Sequence, residues 1–198
     1  MTIRVARVLH GTVAEGPGRR TAVWFQGCSI RCRGCVNPHL FRASGGHLIE
    51  GEDVVRGALE SGDEGLTLIG GEPFDQASGA GGLAVAAQEA GLGVLCFTGY
   101  LHEALQTRGD AVELLSAIDL LIDGPFVAER PEQHRPLVGS TNQRLIHLTE
   151  RYRGIEAAPG RNRIEVRVGV DGAVDVAGFT DRDGTSALRG ALGRRRPG

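Results

Sequence analysis

Three of the four cysteines, Cys28, Cys32 and Cys35, fall within eight residues in the run Cys28-Ser-Ile-Arg-Cys32-Arg-Gly-Cys35. The run follows Thr21-Ala-Val-Trp-Phe-Gln, an apolar segment that reads as a buried strand, with Gly27 as the joint. Any fold of this chain must therefore carry a polar, thiol-rich loop at the end of an interior strand. The C-x3-C-x2-C spacing lets each of three thiolates bind one iron of a cubane, a [4Fe–4S] cluster. The fourth iron then has no local cysteine and stays open to an external ligand. Gly27 and Gly34 suit a backbone that folds tightly around such a group.

Other readings of the loop remain. A structural zinc site closes four ligands, and His39 would complete a Cys3His set. A redox pair of Cys32 and Cys35 has the C-x-x-C spacing but leaves Cys28 without a role. Unliganded core cysteines fit least, because Ser29, Arg31 and Arg33 between them are polar. Cys96 stands mid-strand in Val-Leu-Cys-Phe and reads as a small buried hydrophobe. A fourth cluster ligand or a hydrogen-atom donor is its other reading.

In a reducing compartment, clustered thiols favour metal or catalysis over disulfides. Met1-Thr-Ile-Arg-Val-Ala-Arg lacks the apolar stretch of a signal peptide, and no segment approaches the roughly 18 apolar residues of a membrane span. A cytoplasmic protein is expected. The net charge of −2 gives no electrostatic case for nucleic acid or an anionic membrane as partner. Apart from histidine, every basic residue is Arg. Hydrophobic residues make up 41% of the chain, enough for a packed core in one domain with a small appendage.

The patterning gives an α/β order. Residues 3–9 alternate and read as an edge strand, and residues 50–61 as a helix. Leu66-Thr-Leu-Ile, Gly93-Val-Leu-Cys-Phe-Thr and Asp119-Leu-Leu-Ile-Asp are short strands closed by Gly70-Gly71, Gly99 and Gly124-Pro125. Helices are expected over 75–91 and 101–116. Arg144-Leu-Ile-His-Leu is a further strand, reached by a loop that Pro131 and Pro136 interrupt. Strands alternating with helices imply a parallel sheet with right-handed crossovers. Such sheets place chemistry at the carboxyl ends of their strands. Here those ends hold Cys28, Gly70-Gly71-Glu72, Thr98-Gly99 and Asp123-Gly124.

After residue 150 the pattern changes. Ile164-Glu-Val-Arg-Val-Gly-Val and Ala173-Val-Asp-Val-Ala alternate with period two around Asp171-Gly172, a hairpin signal. The expected organisation is an α/β unit over 1–150, a β-hairpin extension over 151–180 and a loose tail over 181–198. The tail's Arg194-Arg195-Arg196 reads as a solvated run, with contact to an acidic partner as the alternative.

Residues 3–150 resemble the radical S-adenosylmethionine superfamily, through the cluster loop followed by Gly70-Gly71-Glu72-Pro73 at the next core strand end. More narrowly they resemble the activating proteins of anaerobic ribonucleotide reductase, which install a glycyl radical. The narrower likeness rests on Gly16-Pro-Gly-Arg, Cys35-Val-Asn, Phe97-Thr-Gly-Tyr100, Leu121-Ile-Asp-Gly124 and Gly139-Ser-Thr-Asn-Gln-Arg144. The resemblance implies a partial (β/α) barrel, to which the hairpin is a C-terminal extension. It implies that S-adenosylmethionine chelates the open iron through its amino and carboxylate groups. It also implies that Gly70, Gly71, Glu72 and Pro73 meet the methionine amino group, and that the backbone at Gly34 reads the adenine.

The residues agree with this assignment. Gly70 and Gly71 let backbone approach a ligand, and the Glu72 carboxylate suits an ammonium; a glycine turn with a surface Glu is the plain alternative. Thr98 and Asp123, at the next two strand ends, are candidates for the ribose and nearby polar groups, or else ordinary turn residues. Asn142 and Gln143 line the site or close their own loop.

The implied activity is reductive cleavage of S-adenosylmethionine to a 5′-deoxyadenosyl radical that abstracts a hydrogen atom. No side chain is needed as a general base. The implied substrate is a glycine of a glycyl radical enzyme resembling anaerobic ribonucleotide reductase, with a flavodoxin- or ferredoxin-type reductant. A radical enzyme acting on a peptide or small molecule is the first alternative. A non-enzymatic iron–sulfur or zinc module is the second, and it leaves Glu72 and the rim glycines unexplained.

Overall fold

The computed structural model describes residues 1–155, 162–179 and 190. In chain order its elements are β1 (Thr2–Thr12), β2 (Arg20–Phe25), β3 (His47–Glu50), α1 (Gly51–Glu60), β4 (Gly65–Gly70), α2 (Ala77–Glu89) and β5 (Gly93–Phe97). There follow α3 (His102–Leu105), α4 (Val112–Ser116), β6 (Leu120–Asp123), β7 (Arg144–His147), β8 (Ile164–Val168) and β9 (Val174–Gly178).

Seven strands form one sheet in the order β3-β1-β2-β4-β5-β6-β7. The four central strands β2, β4, β5 and β6 pair in parallel. The flanking pairs β1–β2, β1–β3 and β6–β7 are antiparallel. This corrects one expectation: the sheet is mixed rather than wholly parallel. Among the described residues β3 and β7 remain open edges and no barrel is closed. The fold class stands as α/β with a mostly parallel core.

Residues 3–9 are also not an edge strand. They lie in β1, between β2 and the four-residue β3, which pairs Thr2 with Glu50 and Val5 with His47. Strand β3 is too short and too exposed to carry a hydrophobic pattern of its own. The helix expected over 101–116 is two short helices, α3 and α4, separated around Gly109. Glycine there weakens a continuous helix. Residues 124–143 form the expected loop, with a single bridge between Pro131 and Ser140.

Both faces of the central strands are covered, so their sequences are largely apolar. Val23, Phe25, Leu66, Leu68, Val94, Cys96 and Leu121 face one core, with Val54, Ala58, Ala80, Leu83, Ala84, Ala87 and Leu114 of the helices. The alternate residues face two smaller clusters. Ala22 and Trp24 pack with Leu9, Leu40 and Ala177, while Leu95, Leu120 and Ile122 pack with Leu137 and Val138. Small residues let α2 and α4 approach closely: a Cβ on Gly81 would lie 3.1 Å from the Leu114 amide nitrogen.

The amino ends of the parallel strands are tied by one buried cation. Arg20 donates to Thr67 Oγ1 (2.8 Å), the Pro17 carbonyl (3.0 Å), the Tyr152 hydroxyl (2.8 Å), the Gly93 carbonyl (3.3 Å) and the Leu66 carbonyl. Five neutral acceptors satisfy a guanidinium that no water reaches, as its fork geometry permits.

The hairpin forms as expected, with Val166 opposite Val176 and Val168 opposite Val174. It is a separate two-stranded sheet laid against β1. Glu165 accepts from Thr12 Oγ1 (2.8 Å) and the Val13 amide (3.1 Å), and Arg167 donates to the His10 carbonyl (2.8 Å). Phe179 carries the chain on to stack on Phe97, with ring centroids 5.2 Å apart. The run Arg194-Arg195-Arg196 and nearly all of the expected loose tail lie outside the described residues.

Candidate active site

The carboxyl ends of β2, β4, β5 and β6 form one rim, and the segments leaving them are bonded to one another in sequence. The Gly71 amide donates to the Phe25 carbonyl (2.9 Å), and the Glu72 amide to the Gly27 carbonyl (2.8 Å). The Gly99 amide donates to Glu72 Oε2 (2.9 Å), the Thr98 amide to the Ile122 carbonyl (2.9 Å), and the Gly124 amide to the Tyr100 carbonyl (3.0 Å). The four places that the sequence marks are thus joined in space.

Cys28, Cys32 and Cys35, each half-exposed and a free thiol, leave this rim on one loop. Two residues with positive φ, Arg31 (52°) and Gly34 (78°), make the loop double back, and the Cys35 amide donates to the Cys32 carbonyl (3.2 Å). Burial pushes the Cys28 thiol up, opposed by the Ile30 and Arg31 amides that point at its sulfur. Burial raises Cys35 likewise, opposed by the Asn37 amide, 3.4 Å from its Sγ. Amides aimed at sulfur stabilise thiolates, the form that binds iron.

Among the described residues no three His, Cys, Asp or Glu side chains converge on the point where a single ion would sit. A cubane demands less convergence, since each thiolate binds its own iron. The donor set fits a cluster: three thiols on one loop, with backbone amides already turned toward two of them. Cys96 is apart from this loop. It is fully buried on the helix-covered face and its thiol is pushed far up by burial, as a small core residue would be.

Glu72 is 1% exposed. Its Oε1 accepts from the Phe74 amide (3.0 Å) and Thr98 Oγ1 (2.9 Å), and its Oε2 from the Gly99 amide. Burial pushes the carboxyl up to about 7 despite those three donors. It is therefore a buried tie between the ends of β4 and β5, not the surface residue of the plain alternative. Pro73 opens the short turn Pro73–Gln76 that follows it. Gly70 has φ 101°, and a Cβ there would lie 2.7 Å from Trp24 Cα. Gly70 thus packs on the β2 backbone, and Gly71 on the Phe25 and Gly27 carbonyls.

Thr98 is held in the same network, its Oγ1 also accepting from the Tyr100 amide (3.1 Å). Asp123 is fully buried and both its oxygens are engaged. Oδ1 accepts from Arg144 Nε (2.8 Å), and Oδ2 from the His102 amide (2.8 Å) and Arg144 Nη2. Arg144 reaches on to both oxygens of Glu103 (2.8 Å each), and the two carboxylates hold its guanidinium above its usual range. Asn142 and Gln143 close their own loop: Asn142 Nδ2 donates to the Pro125 carbonyl (2.7 Å), and Gln143 Oε1 accepts from the Gly139 (2.9 Å) and Ser140 (3.1 Å) amides. Gly34 is exposed, and a Cβ on it would stand 3.0 Å from Ala128 Cβ and 3.8 Å from the Phe126 ring.

Sequence reasoning passed over three residues at this rim. Asp75 and Tyr100 both bond Ser29, immediately after Cys28. Gln76 bridges β1 and β2, accepting from the Arg4 amide (2.8 Å) and donating to the Arg4 and Gln26 carbonyls (2.9 Å each). The available signal was position: all three follow motif glycines by a few residues.

A cysteine loop joined to a Gly-Gly-Glu turn lies on the carboxyl rim of the parallel strands, as the resemblance to radical S-adenosylmethionine enzymes, with an iron–sulfur cluster and S-adenosylmethionine as cofactors, leads one to expect. Residues 14–146 match the family described as 4Fe-4S single cluster domain. The chain is 33% identical over 144 residues to the anaerobic ribonucleoside-triphosphate reductase-activating protein of Vibrio cholerae serotype O1, covering 68% of this chain and 91% of that one. It is 31% identical over 152 residues to the protein of the same name from Enterobacteria phage T4, covering 73% of this chain and 94% of that one. A shorter match, 36% over 66 residues, joins 30% of this chain to 28% of the pyruvate formate-lyase-activating enzyme of Clostridium pasteurianum. The chain belongs to the family of anaerobic ribonucleotide reductase-activating proteins. Among the described residues no helix is long and apolar enough to cross a membrane.

Proposed function

We propose that this chain is a cytoplasmic glycyl-radical activase whose Cys28, Cys32 and Cys35 hold a [4Fe–4S] cluster. S-adenosylmethionine binds beside it, along the rim of Gly34, Gly70, Gly71, Glu72, Pro73, Thr98 and Asp123. When bound, and given one electron from an external reductant, these two groups would supply reductive cleavage of S-adenosylmethionine and hydrogen-atom abstraction from substrate. The observation that carries the reading is the 2.8 Å bond from the Glu72 amide to the Gly27 carbonyl, which fixes the Gly-Gly-Glu turn against the root of the cysteine loop.

The chain's own residues bind and orient. The loop cysteines release their protons to bind iron, assisted by the Ile30, Arg31 and Asn37 amides. Glu72, buried and titrating at about 7, supplies the negative charge that an incoming ammonium stabilises. The relatives' name supports a glycine of an anaerobic ribonucleotide reductase-type enzyme as the hydrogen donor. A flavodoxin- or ferredoxin-type protein is the reductant.

The test is anaerobic reconstitution with iron and sulfide, followed by S-adenosylmethionine and dithionite. Wild type is expected to form 5′-deoxyadenosine and Cys32→Ala none. A cluster-loaded wild type that forms no 5′-deoxyadenosine overturns the reading. Adding a purified anaerobic ribonucleotide reductase large subunit and recording its glycyl radical by electron paramagnetic resonance then tests the substrate.

A further inference from the structure

Ser29 follows Cys28 directly, and its amide and hydroxyl are bonded by two side chains from other rim segments. The Ser29 amide donates to Asp75 Oδ2 (2.7 Å), and its hydroxyl donates to Asp75 Oδ1 (2.9 Å). The Tyr100 hydroxyl also donates to Asp75 Oδ1 (3.0 Å) and stands 2.9 Å from Ser29 Oγ. Three groups thus close a triangle of hydrogen bonds around one carboxylate.

The two partners are themselves fixed. Asp75 lies in the turn Pro73–Gln76, which Glu72 caps by accepting from the Phe74 amide. Tyr100 follows Thr98 and Gly99, both bonded to Glu72. The Arg108 guanidinium lies over the Tyr100 ring, 5.0 Å from its centroid, and donates to the Phe74 carbonyl (3.0 Å) while pairing with Asp110 (2.7 Å). A cation on the face of a tyrosine holds the ring by its quadrupole. The triangle therefore binds the cysteine loop to the exits of both β4 and β5.

Resting on the reading that Cys28, Cys32 and Cys35 hold a cluster, we infer that Asp75 and Tyr100 are positioning residues that clamp the Cys28 end of the loop through Ser29. A flexible loop loses conformational freedom when it wraps a metal group. A loop already held at one end loses less, and its thiols stay in register with the Gly-Gly-Glu turn. Asp75 has a second consequence. It places a negative charge one residue from a cluster ligand, which disfavours adding an electron there and lowers the reduction potential. The clamp acts through Cys28 and touches no reacting atom.

The test compares reconstituted wild type with Asp75→Asn and Tyr100→Phe. Three readouts are taken: the rate of iron loss to a chelator, the midpoint potential of the cluster, and the electron paramagnetic resonance spectrum of the reduced cluster. Asp75→Asn turns an acceptor of three bonds into a partial donor facing the Ser29 amide. Loss of one charge-assisted bond corresponds to about a tenfold change, so iron release is expected to rise about tenfold. The potential moves to more positive values. Tyr100→Phe keeps the ring under Arg108 and deletes only the hydroxyl, so it speeds iron release by a smaller factor and leaves the potential nearly unchanged. A merely structural role would not shift the potential in Asp75→Asn alone.

If both variants bind and release iron as wild type does, at the same potential, the clamp is overturned while the cluster reading stands. If wild type takes up no cluster, the cluster reading itself fails.

Discussion

Gly71 lies so close to Gly27 that a Cβ on Gly71 would come 2.1 Å from the Gly27 carbonyl oxygen. Here two motifs, distant in sequence, meet backbone to backbone: the joint of the cysteine loop and the middle of the Gly-Gly-Glu turn. The obstacle is main chain on both sides, with the Phe25 carbonyl oxygen at 2.8 Å, so no rotamer change relieves it. Gly71→Ala is expected to cost about 1–3 kcal/mol and to impair cluster loading by moving the loop. Gly109→Ala is the control, because nothing lies within 4 Å of its added methyl group. It is expected to be neutral or stabilising by up to about 1 kcal/mol. Denaturant unfolding and iron content per chain check both. Equal effects at the two positions would show that the contact at Gly71 is unimportant.

Glu72 makes the stability of the cluster-free protein depend on pH. Its carboxyl titrates at about 7 in the fold and near 4.5 when unfolded, because burial penalises the charged form. Between these values the folded state holds a proton that the unfolded state has released. Stability contributed by this group is therefore fully present below pH 4.5, and it is lost as pH rises through 7. The loss amounts to at most about 3 kcal/mol. Glu72→Gln removes this slope. Urea unfolding at a series of pH values between 5 and 8 checks it, and a parallel slope in the variant would assign the dependence elsewhere. An ammonium bound at Glu72 favours the ionised form, so S-adenosylmethionine is expected to bind more tightly as pH rises through the same range.

Asp123 has no exposed side-chain surface and is neutralised by Arg144. Arg144→Ala leaves a buried carboxylate with only the His102 amide, a loss of about 2–4 kcal/mol. Removing the charge at the same time, in Asp123→Asn with Arg144→Ala, is expected to recover part of it. A double-mutant cycle on unfolding free energy measures the coupling. Additive effects would mean that the ion pair contributes nothing.

The rim itself was legible from the sequence, because each apolar strand ends in a glycine beside a chemically loaded residue. Cys28, Glu72, Thr98 and Asp123 do lie on one edge. What they bond there was not legible. Glu72 ties β4 to β5 from a buried position, and Asp123 is occupied by Arg144, a residue from the next strand in an antiparallel pairing. Spacing along a chain gives the end of a strand but not the partner that approaches from another segment. Strand β3 was missed for a related reason: four exposed residues carry no periodicity, and only their pairing with β1 makes them a strand. Asp75 was passed over because a single Asp after a motif has no pattern of its own, and Tyr100, though part of a motif, gave no sign of its bond to Ser29.

The hairpin shows the same limit. Its period of two was plain in the sequence, but the period does not say which face turns inward. In the fold the charged residues face β1, through Glu165 and Arg167, while Ile164, Val166, Val168, Val174 and Val176 face outward, Val168 being 71% exposed. The inward side contributes only Ala177 to the apolar clusters, at 5% exposed. This arrangement inverts the usual rule for a sheet lying on a core, and it predicts an inverted mutational response. Val166→Thr and Val176→Thr, at exposed positions, are expected to change stability by less than about 0.5 kcal/mol. Ala177→Asp puts an unpaired carboxylate against Leu9 and Trp24 and is expected to cost about 3 kcal/mol or more. Glu165→Ala loses the bonds from Thr12 and Val13 and falls between, at about 1–2 kcal/mol. Thermal unfolding of the three classes checks the order. If the outward valines proved as sensitive as Ala177, the hairpin would be turned the other way in solution, with its β-branched face against β1.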